Sequence, residues 1–164
     1  MLSDDHVFAE AEERKKYLFL FSFALLLLIL AFCYNTPGEI WEGSLIILLS
    51  PANLITDYIA LTNVGATLFN AAVMSFFSIA MAAVNRVKIT GAVVAAFFTV
   101  AGFSLFGKNL YNSIPIIAGV YLYCRLTHNP FKIHLMSAFF GTALAPLVSE
   151  VSFNLNLPVA AGIA

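Results

Sequence analysis

Asp57 is the residue of this sequence that most needs a chemical explanation, because it is the only charged residue set inside an apolar run, residues 45–61. An acid in such a run is by default a candidate for function. In one interpretation Asp57 is a cation ligand or proton carrier, and Asn53 is its neutral hydrogen-bonding partner. In the other, Asp57 caps the helix predicted after it and contacts only water.

Pro51 interrupts the same run and prevents a continuous helix, because proline lacks a backbone N–H. Irregular backbone at membrane depth is tolerated only where it is buried in protein or lines a water-filled cavity. A second break is predicted where Lys108, Asn109 and Asn112 crowd together just before a short helix that starts at Pro115. Paired interruptions of this kind point to a binding site near the middle of the membrane.

The second break has two interpretations. A helix N-terminus carries partial positive charge and free N–H groups, so with Lys108 nearby it could hold an anionic or carbonyl group. Alternatively, Lys108 extends to the membrane surface and Asn112 is a helix N-cap.

Asn63, Thr67 and Asn70 form a further polar group. Their spacing of i, i+4 and i+7 places them on one face of the helix predicted for residues 64–84. In one interpretation these side chains form hydrogen bonds between helices, each of which stabilises the packing by about 0.6 to 2 kcal/mol. In the other they line part of a solute pathway.

The composition requires that most of the chain be surrounded by lipid. Of its 164 residues, 61% are hydrophobic and 10% are charged, and the mean hydropathy is +0.91, whereas a soluble domain carries about 25% charged residues. We therefore predict an all-α, polytopic membrane protein. Residues 1–16 form a polar segment, residues 17–155 form the transmembrane domain, and residues 156–164 start a further, truncated segment.

The same numbers exclude several functions. A net charge of -1 without a clustered basic face argues against nucleic-acid binding. The sequence has no Ser/His/Asp set, no His and Cys residues at metal-ligand spacing and no phosphate loop. We therefore expect no enzyme activity, no metal site and no cofactor.

The positive-inside rule decides whether residues 45–61 cross the membrane. If they do not, seven of the eight basic residues are cytoplasmic and only Lys108 is outside. We therefore predict a cytoplasmic N-terminus, a loop at residues 35–43 and a re-entrant or broken-helix hairpin at residues 45–61 on the outer side. About five transmembrane helices are predicted, at residues 17–34, 64–84, 91–107, 114–124 and 133–149.

An odd number of crossings would orient a second copy of this unit the opposite way. Such a fusion gives an inverted repeat, which is the plan of many secondary transporters. The uncharged end, LPVAAGIA, indicates a truncated sequence, so we expect the second copy to follow residue 164.

Three stretches have motifs with a distinctive order and spacing: SPANLITDYIALTNVGATLFN, FTVAGFSLFGKNLYNSIPIIAGVYLY and FGTALAPLVSE. In these stretches the sequence resembles the bacterial membrane-protein family known as domain of unknown function 1576, over most of residues 17–155. The resemblance implies a longer protein of the bacterial inner membrane, usually with two copies of this unit. It implies no substrate and no site residues.

We expect the chain to be a half-unit of a transporter or channel for a small polar solute. Its partners are then the lipid bilayer, the solute and the second repeat copy, and a homo-oligomer is compatible with the sequence. The alternative is a non-transporting membrane scaffold or accessory subunit, which predicts water-accessible or partner-bound Asp57 and Lys108 and no cavity between the two breaks. The candidate binding residues are Asp57, Asn53, Asn63, Asn70, Lys108 and Asn112.

Overall fold

Every regular element that the structure describes is a helix, so the all-α class is confirmed. The computed structural model describes residues 2–50 and 56–154. Asn53 and the further segment predicted at residues 156–164 lie outside this part of the chain. The helices are α1 (Leu2–Tyr34), α2 (Pro37–Leu49), α3 (Tyr58–Leu61), α4 (Val64–Val84), α5 (Gly91–Phe103), α6 (Leu110–Leu126), α7 (Phe131–Gly141) and α8 (Ala145–Asn154).

The start of α2 corrects the prediction of a loop at residues 35–43. Thr36 and Glu39 form a reciprocal capping box, in which the backbone N–H of Thr36 donates to Glu39 Oε2 at 2.8 Å. Pro37 follows at the first helical position, where its missing N–H has no intrahelical partner to lose. These local signals begin a helix where composition alone suggested a loop.

An antiparallel pair, α1 and α4, forms the centre of the fold. At one end the backbone N–H of Gly65 donates to Asn35 Oδ1 at 2.8 Å, and at the other the Tyr17 hydroxyl donates to the carbonyl of Val87 at 2.7 Å. We call these the Asn35 end and the Tyr17 end. A Cβ on Gly65 would lie 2.6 Å from the Asn35 Cβ, so the close approach of the two helices requires glycine.

The helices α2 and α3, which we call hairpin A, leave the Asn35 end and return to it. Asn63, directly after α3, donates to the carbonyl of Glu39 near the start of α2 at 3.2 Å. At the inner end of hairpin A, Ile47 and Tyr58 are buried together against Ala66 of α4. The interrupted segment therefore enters and leaves at one end of the bundle.

The helices α5 and α6, which we call hairpin B, leave the Tyr17 end and return to it. Ile89, just before α5, donates its backbone N–H to the Glu13 carboxylate of α1. Tyr121, late in α6, lines the same groove as Asn85 at the end of α4. The inner end of hairpin B reaches Asn70, six residues into α4 and roughly 9 Å from its start at about 1.5 Å per residue.

The last helices close the core. α7 packs against α5 and α6, and a short 3-10 turn (Thr142–Leu144) leads into α8. The main apolar cluster draws on α1, α4, α5, α7 and the segment before α5. Its buried members are Leu20, Met74, Ala82, Ile89, Val93, Ala96, Phe97, Val100, Leu135 and Phe139.

Three helical segments of the described residues are long and apolar enough to cross a membrane: Glu10–Tyr34, Val64–Val84 and Phe131–Ser149. These segments are consistent with a membrane protein. The expected count of about five is not confirmed. α5 has 13 residues, and at about 1.5 Å per residue it spans roughly 20 Å of a hydrocarbon core of about 30 Å.

The predicted span at residues 91–107 is shorter in the structure, and the lysine that follows it is buried and not exposed. α5 ends at Phe103, and Lys108 is 0% exposed. The chain turns back because Gly107 takes a φ of 91°, a backbone conformation that costs little only for glycine. The turn therefore carries Lys108 into the protein.

Candidate functional site

The inner ends of hairpins A and B meet at Asn109, which is 0% exposed. Its side-chain amide donates to the carbonyl of Ile47 at 3.0 Å and to the hydroxyl oxygen of Tyr58 at 3.3 Å. Its Oδ1 accepts the backbone N–H of Asn112 at 3.0 Å. One side chain therefore caps α6 and joins it to both arms of hairpin A.

Asn112 is not the N-cap of α6, contrary to one interpretation of the sequence. Asn109 is the cap, and Asn112 completes a reciprocal capping box by accepting the backbone N–H of Asn109 at 2.9 Å. Asn112 also donates to the carbonyl of Gly107 at 2.8 Å. Because this box starts the helix at Leu110, Pro115 lies inside α6 and does not begin it.

Asn70 fastens the inner end of hairpin B to α4. Its buried amide donates to the carbonyl of Ser104 at 2.7 Å and to the carbonyl of Lys108 at 2.8 Å. Both carbonyls lie beyond the end of α5, where helical partners run out. Asn70 therefore makes the hydrogen bonds between elements that one interpretation of the polar face expected.

Asn63 and Thr67 lie on the same helix but at the Asn35 end. Asn63 caps α4, and its Oδ1 accepts the backbone N–H of Ala66 at 2.7 Å. The hydroxyl of Thr67 donates to the carbonyl of Asn63 at 2.9 Å. The structure therefore brings Asn70, Lys108 and Asn112 together but leaves Asn63 at the base of hairpin A.

Lys108 is a buried amine whose hydrogen-bond partner among the described side chains is a hydroxyl, that of Thr142. Its Nζ donates to the hydroxyl oxygen of Thr142, which donates in turn to the carbonyl of Phe139 at 2.6 Å. No carboxylate lies within 4.0 Å of this amine among the side chains that the structure describes, which do not include that of Glu150. Because Lys108 is buried, the interpretation in which it extends to the membrane surface is wrong.

Asp57 is exposed and caps α3. Its Oδ1 accepts the backbone N–H groups of Ile59 and Ala60, each at 3.0 Å. This is the geometry of the helix-capping interpretation. The neighbouring Tyr58 is 1% exposed, and it is this tyrosine that contacts Asn109 of hairpin B.

A cavity of about 100 Å³ lies beside the meeting point. The Ser44 hydroxyl, which lines it, is buried and finds no hydrogen-bond partner among the described residues, and the same holds for the Ser113 hydroxyl of α6. Unpartnered buried hydroxyls are uncommon in native interiors. The residues that line the cavity are Ser44, Leu48, Phe69, Asn70, Val73 and Leu110.

Sequence reasoning missed Tyr58 and Thr142 as members of this polar interior. Tyr58 follows Asp57, and its burial depends on the fold of hairpin A against α4. Thr142 lies in an apolar stretch, 34 residues from Lys108. No local pattern pairs the two, because the contact is made by the turn of hairpin B and the end of α7.

Comparisons with known proteins give one match. A family model described as "Protein of unknown function (DUF1576)" matches residues 36–164. No curated protein and no solved structure matches the chain. The match covers both hairpins and the buried polar residues between them.

Proposed function

Because the chain belongs to the DUF1576 family, whose description assigns no activity, we propose a function from the polar interior itself. The chain is a transporter or channel half-unit, and its small polar solute binds where hairpins A and B meet. The observation that carries the proposal is the contact of Asn109 with Ile47 and Tyr58, which joins two interrupted segments from opposite ends of the bundle.

Interrupted helices suit a solute site because they bring free backbone groups and helix ends into the interior of a membrane protein. Hairpin A opens toward the Asn35 end and hairpin B toward the Tyr17 end. Separation at Asn109 by movement of one hairpin would expose the meeting point to one side of the membrane. Movement of the other hairpin would expose it to the opposite side.

The buried amine of Lys108 favours a solute that is an anion. A buried ammonium group is costly unless it is paired, and Lys108 has one hydrogen-bond acceptor, Thr142, among the described residues. A carboxylate or phosphate group on the solute would place a negative charge beside this amine and accept its remaining N–H groups. Asn109 and Asn112, whose side chains are bonded within the protein, then hold the turn that carries Lys108, and the buried Ser44 and Ser113 hydroxyls bind the solute or its water.

The charge distribution supports an orientation for this half-unit. Arg86 and Lys88 lie beside Glu13 and Tyr17, and the Arg125 guanidinium lies by Tyr121 at the same end. By the positive-inside rule the Tyr17 end faces the cytoplasm of a bacterial cell. The N-terminus is then cytoplasmic, hairpin A enters from outside, and hairpin B enters from inside.

Single-cysteine labelling tests this orientation in cells. In a background with Cys33 and Cys124 replaced by alanine, we expect Gly38→Cys to react with a membrane-impermeant maleimide in intact cells. Lys88→Cys should react only after permeabilisation. Labelling of Lys88→Cys in intact cells would overturn the orientation.

The inverted repeat remains part of the proposal. α1 with hairpin A and α4 with hairpin B each consist of a long helix followed by a hairpin, in opposite directions. This arrangement supports an inverted relation within the half-unit, and a second copy in the full-length protein would repeat it.

Uptake by the full-length protein in proteoliposomes tests the function. We expect a panel of small carboxylates and phosphates to contain at least one solute that accumulates above empty vesicles. Lys108→Met, which keeps an unbranched side chain of similar length without its charge, should reduce that uptake by at least tenfold. Lys88→Met, at an exposed position, is the matched control and should leave it unchanged.

Two results would contradict the proposal. If no anion of the panel accumulates, transport of this solute class is excluded, and if Lys108→Met transports as well as the control, the lysine is not in the site. The second candidate, a membrane scaffold or accessory subunit, is favoured by Asp57, which is exposed and acts as a cap. The scaffold hypothesis predicts that no solute is taken up and that a partner protein no longer binds the Asp57→Lys variant.

A further inference from the structure

An apolar groove separates α4 from α6 at the Tyr17 end. Its volume is about 410 Å³. It exists because α4 packs against α1, α2 and α5, whereas α6 packs against α7 and α8. The residues that line it are Phe77, Met81, Val84, Asn85, Ile114, Ile117, Ala118, Tyr121 and Phe131.

The walls of the groove suit a hydrocarbon chain. Asn85 is the one amide among the lining side chains, and its Nδ2 is already bonded to the carbonyl of Met81 at 2.7 Å. Val84 at the rim is 82% exposed. In lipid, an apolar groove that is open at its side admits an acyl chain without the loss of any hydrogen bond.

The end of the groove carries two exposed basic side chains. The Arg125 guanidinium lies 6.0 Å from the Tyr121 ring that lines the groove, and Lys132 follows the lining residue Phe131 along the chain. Both basic side chains are exposed, and neither forms an ion pair with a side chain that the structure describes. The positive charge at this end is therefore available to an outside anion.

We propose that this groove is a specific site for one anionic phospholipid of the surrounding bilayer. One acyl chain lies in the groove between α4 and α6, and the phosphate binds Arg125 and Lys132. Apolar walls with a basic rim at the cytoplasmic side match both parts of such a lipid, since guanidinium and ammonium groups bind phosphate by charge-assisted hydrogen bonds. The site is independent of the solute site, because Lys108 and Asn109 do not line the groove.

Lipid binding by the purified full-length protein tests the charged part of this site. The probes are phosphatidylglycerol and phosphatidylcholine with identical acyl chains, and bound lipid is counted by native mass spectrometry. We expect one phosphatidylglycerol to be retained in preference to phosphatidylcholine. Arg125→Gln and Lys132→Gln should each weaken its binding about fivefold, whereas Lys88→Gln, at the same end but away from the groove, should not.

A groove-filling variant tests the apolar part. Ala118→Phe should reduce the retention of phosphatidylglycerol, while Ala92→Phe, on the exposed face of α5, should not. Glycerol phosphate, which has the phosphate without the chains, should fail to compete. Equal retention of both lipids, or full retention in the Arg125→Gln and Lys132→Gln double variant, would overturn the proposal, as would competition by glycerol phosphate.

Discussion

Hairpins A and B are both interrupted segments that return to their own end of the bundle, but they build their inner ends from different groups. The described part of hairpin A bonds Asn109 through the backbone carbonyl of Ile47 and the hydroxyl of Tyr58. Hairpin B contributes the side chains of Lys108, Asn109 and Asn112, each 0% exposed. Hairpin B is the organised element of the site, and hairpin A covers it.

The two hairpins are also held in place to different degrees. Asn70 of α4 bonds two carbonyls at the turn of hairpin B, and Thr142 bonds its lysine. Hairpin A packs on α4 through the apolar contact of Ile47 and Tyr58 with Ala66, and Asn109 bonds it to hairpin B. If the proposed solute site opens, we expect hairpin A to separate first, and the Asn70 and Tyr58 variants below test that order.

The largest effect is expected for Asn109→Leu. This change removes the cap of α6 and leaves the carbonyl of Ile47 without its donor, so we expect a loss of about 3 kcal/mol in the free energy of unfolding. The measurement is denaturant titration of the purified protein in mixed micelles. Asn129→Leu, at an exposed position, is the control, and an equal loss in both variants would contradict the central role of Asn109.

Asn70→Leu should cost about 2 kcal/mol, because two buried carbonyls lose their donor. The substitution should loosen hairpin B. Hydrogen exchange measured by mass spectrometry should therefore be faster in residues 104–112. Asn85→Leu, which removes a bond within α4 only, should cost less than half as much. Faster exchange in hairpin A alone would contradict the conclusion that Asn70 holds hairpin B in place.

Tyr58→Phe removes one hydroxyl and nothing else, and we expect it to cost about 1 kcal/mol. Exchange should accelerate in α2 and α3, while hairpin B keeps its wild-type rates. Tyr34→Phe, on the exposed end of α1, serves as the control. If the exchange rates of both hairpins rise together, the hairpins open as one unit and hairpin A is not the first to separate.

Asp57→Ala should have a smaller effect of about 0.5 kcal/mol, because it removes the cap of a four-residue helix. Asp57→Asn retains a capping oxygen and should behave as wild type in thermal unfolding. If Asp57→Asn instead abolishes uptake while Asp57→Ala and wild type unfold alike, the acid is a ligand or proton carrier and not a cap.

The smallest effect concerns pH. The backbone N–H of Thr36, with its hydroxyl, holds the pKa of Glu39 below its usual range. This contribution to stability is complete above the pKa of glutamate in the unfolded chain and is lost as the pH falls through the lower pKa of the folded state. Glu39→Gln should remove this pH dependence in thermal unfolding, whereas Glu10→Gln, at an exposed position of α1, should keep it.

The long helices could be predicted from the sequence, and the contacts at the site could not. α4 has the predicted bounds of residues 64–84 because an apolar run of that length follows a strong cap, Asn63. The interruption near Pro51 was predicted because proline ends a helix without reference to the rest of the fold. Both features depend on neighbouring residues alone.

Lys108 shows why the remainder was not predictable. Rules for membrane topology place a cation at the surface, since burial is costly. Only tertiary packing brings Thr142 to the amine of Lys108 and Asn70 to the backbone carbonyl of Lys108. The start of α2, by contrast, was within reach of sequence reasoning, because the Thr36 to Glu39 spacing is that of a capping box.

The contact of Gly65 with Asn35 has a consequence for biogenesis. Because it closes the base of hairpin A, α1 and α4 can pair during synthesis before residues 37–61 have found their place. We expect insertion of the two long helices to precede packing of the hairpins between them, as in a two-stage pathway of insertion followed by packing. A larger residue at position 65 should therefore impair the pairing of α1 with α4, whether or not a solute is present.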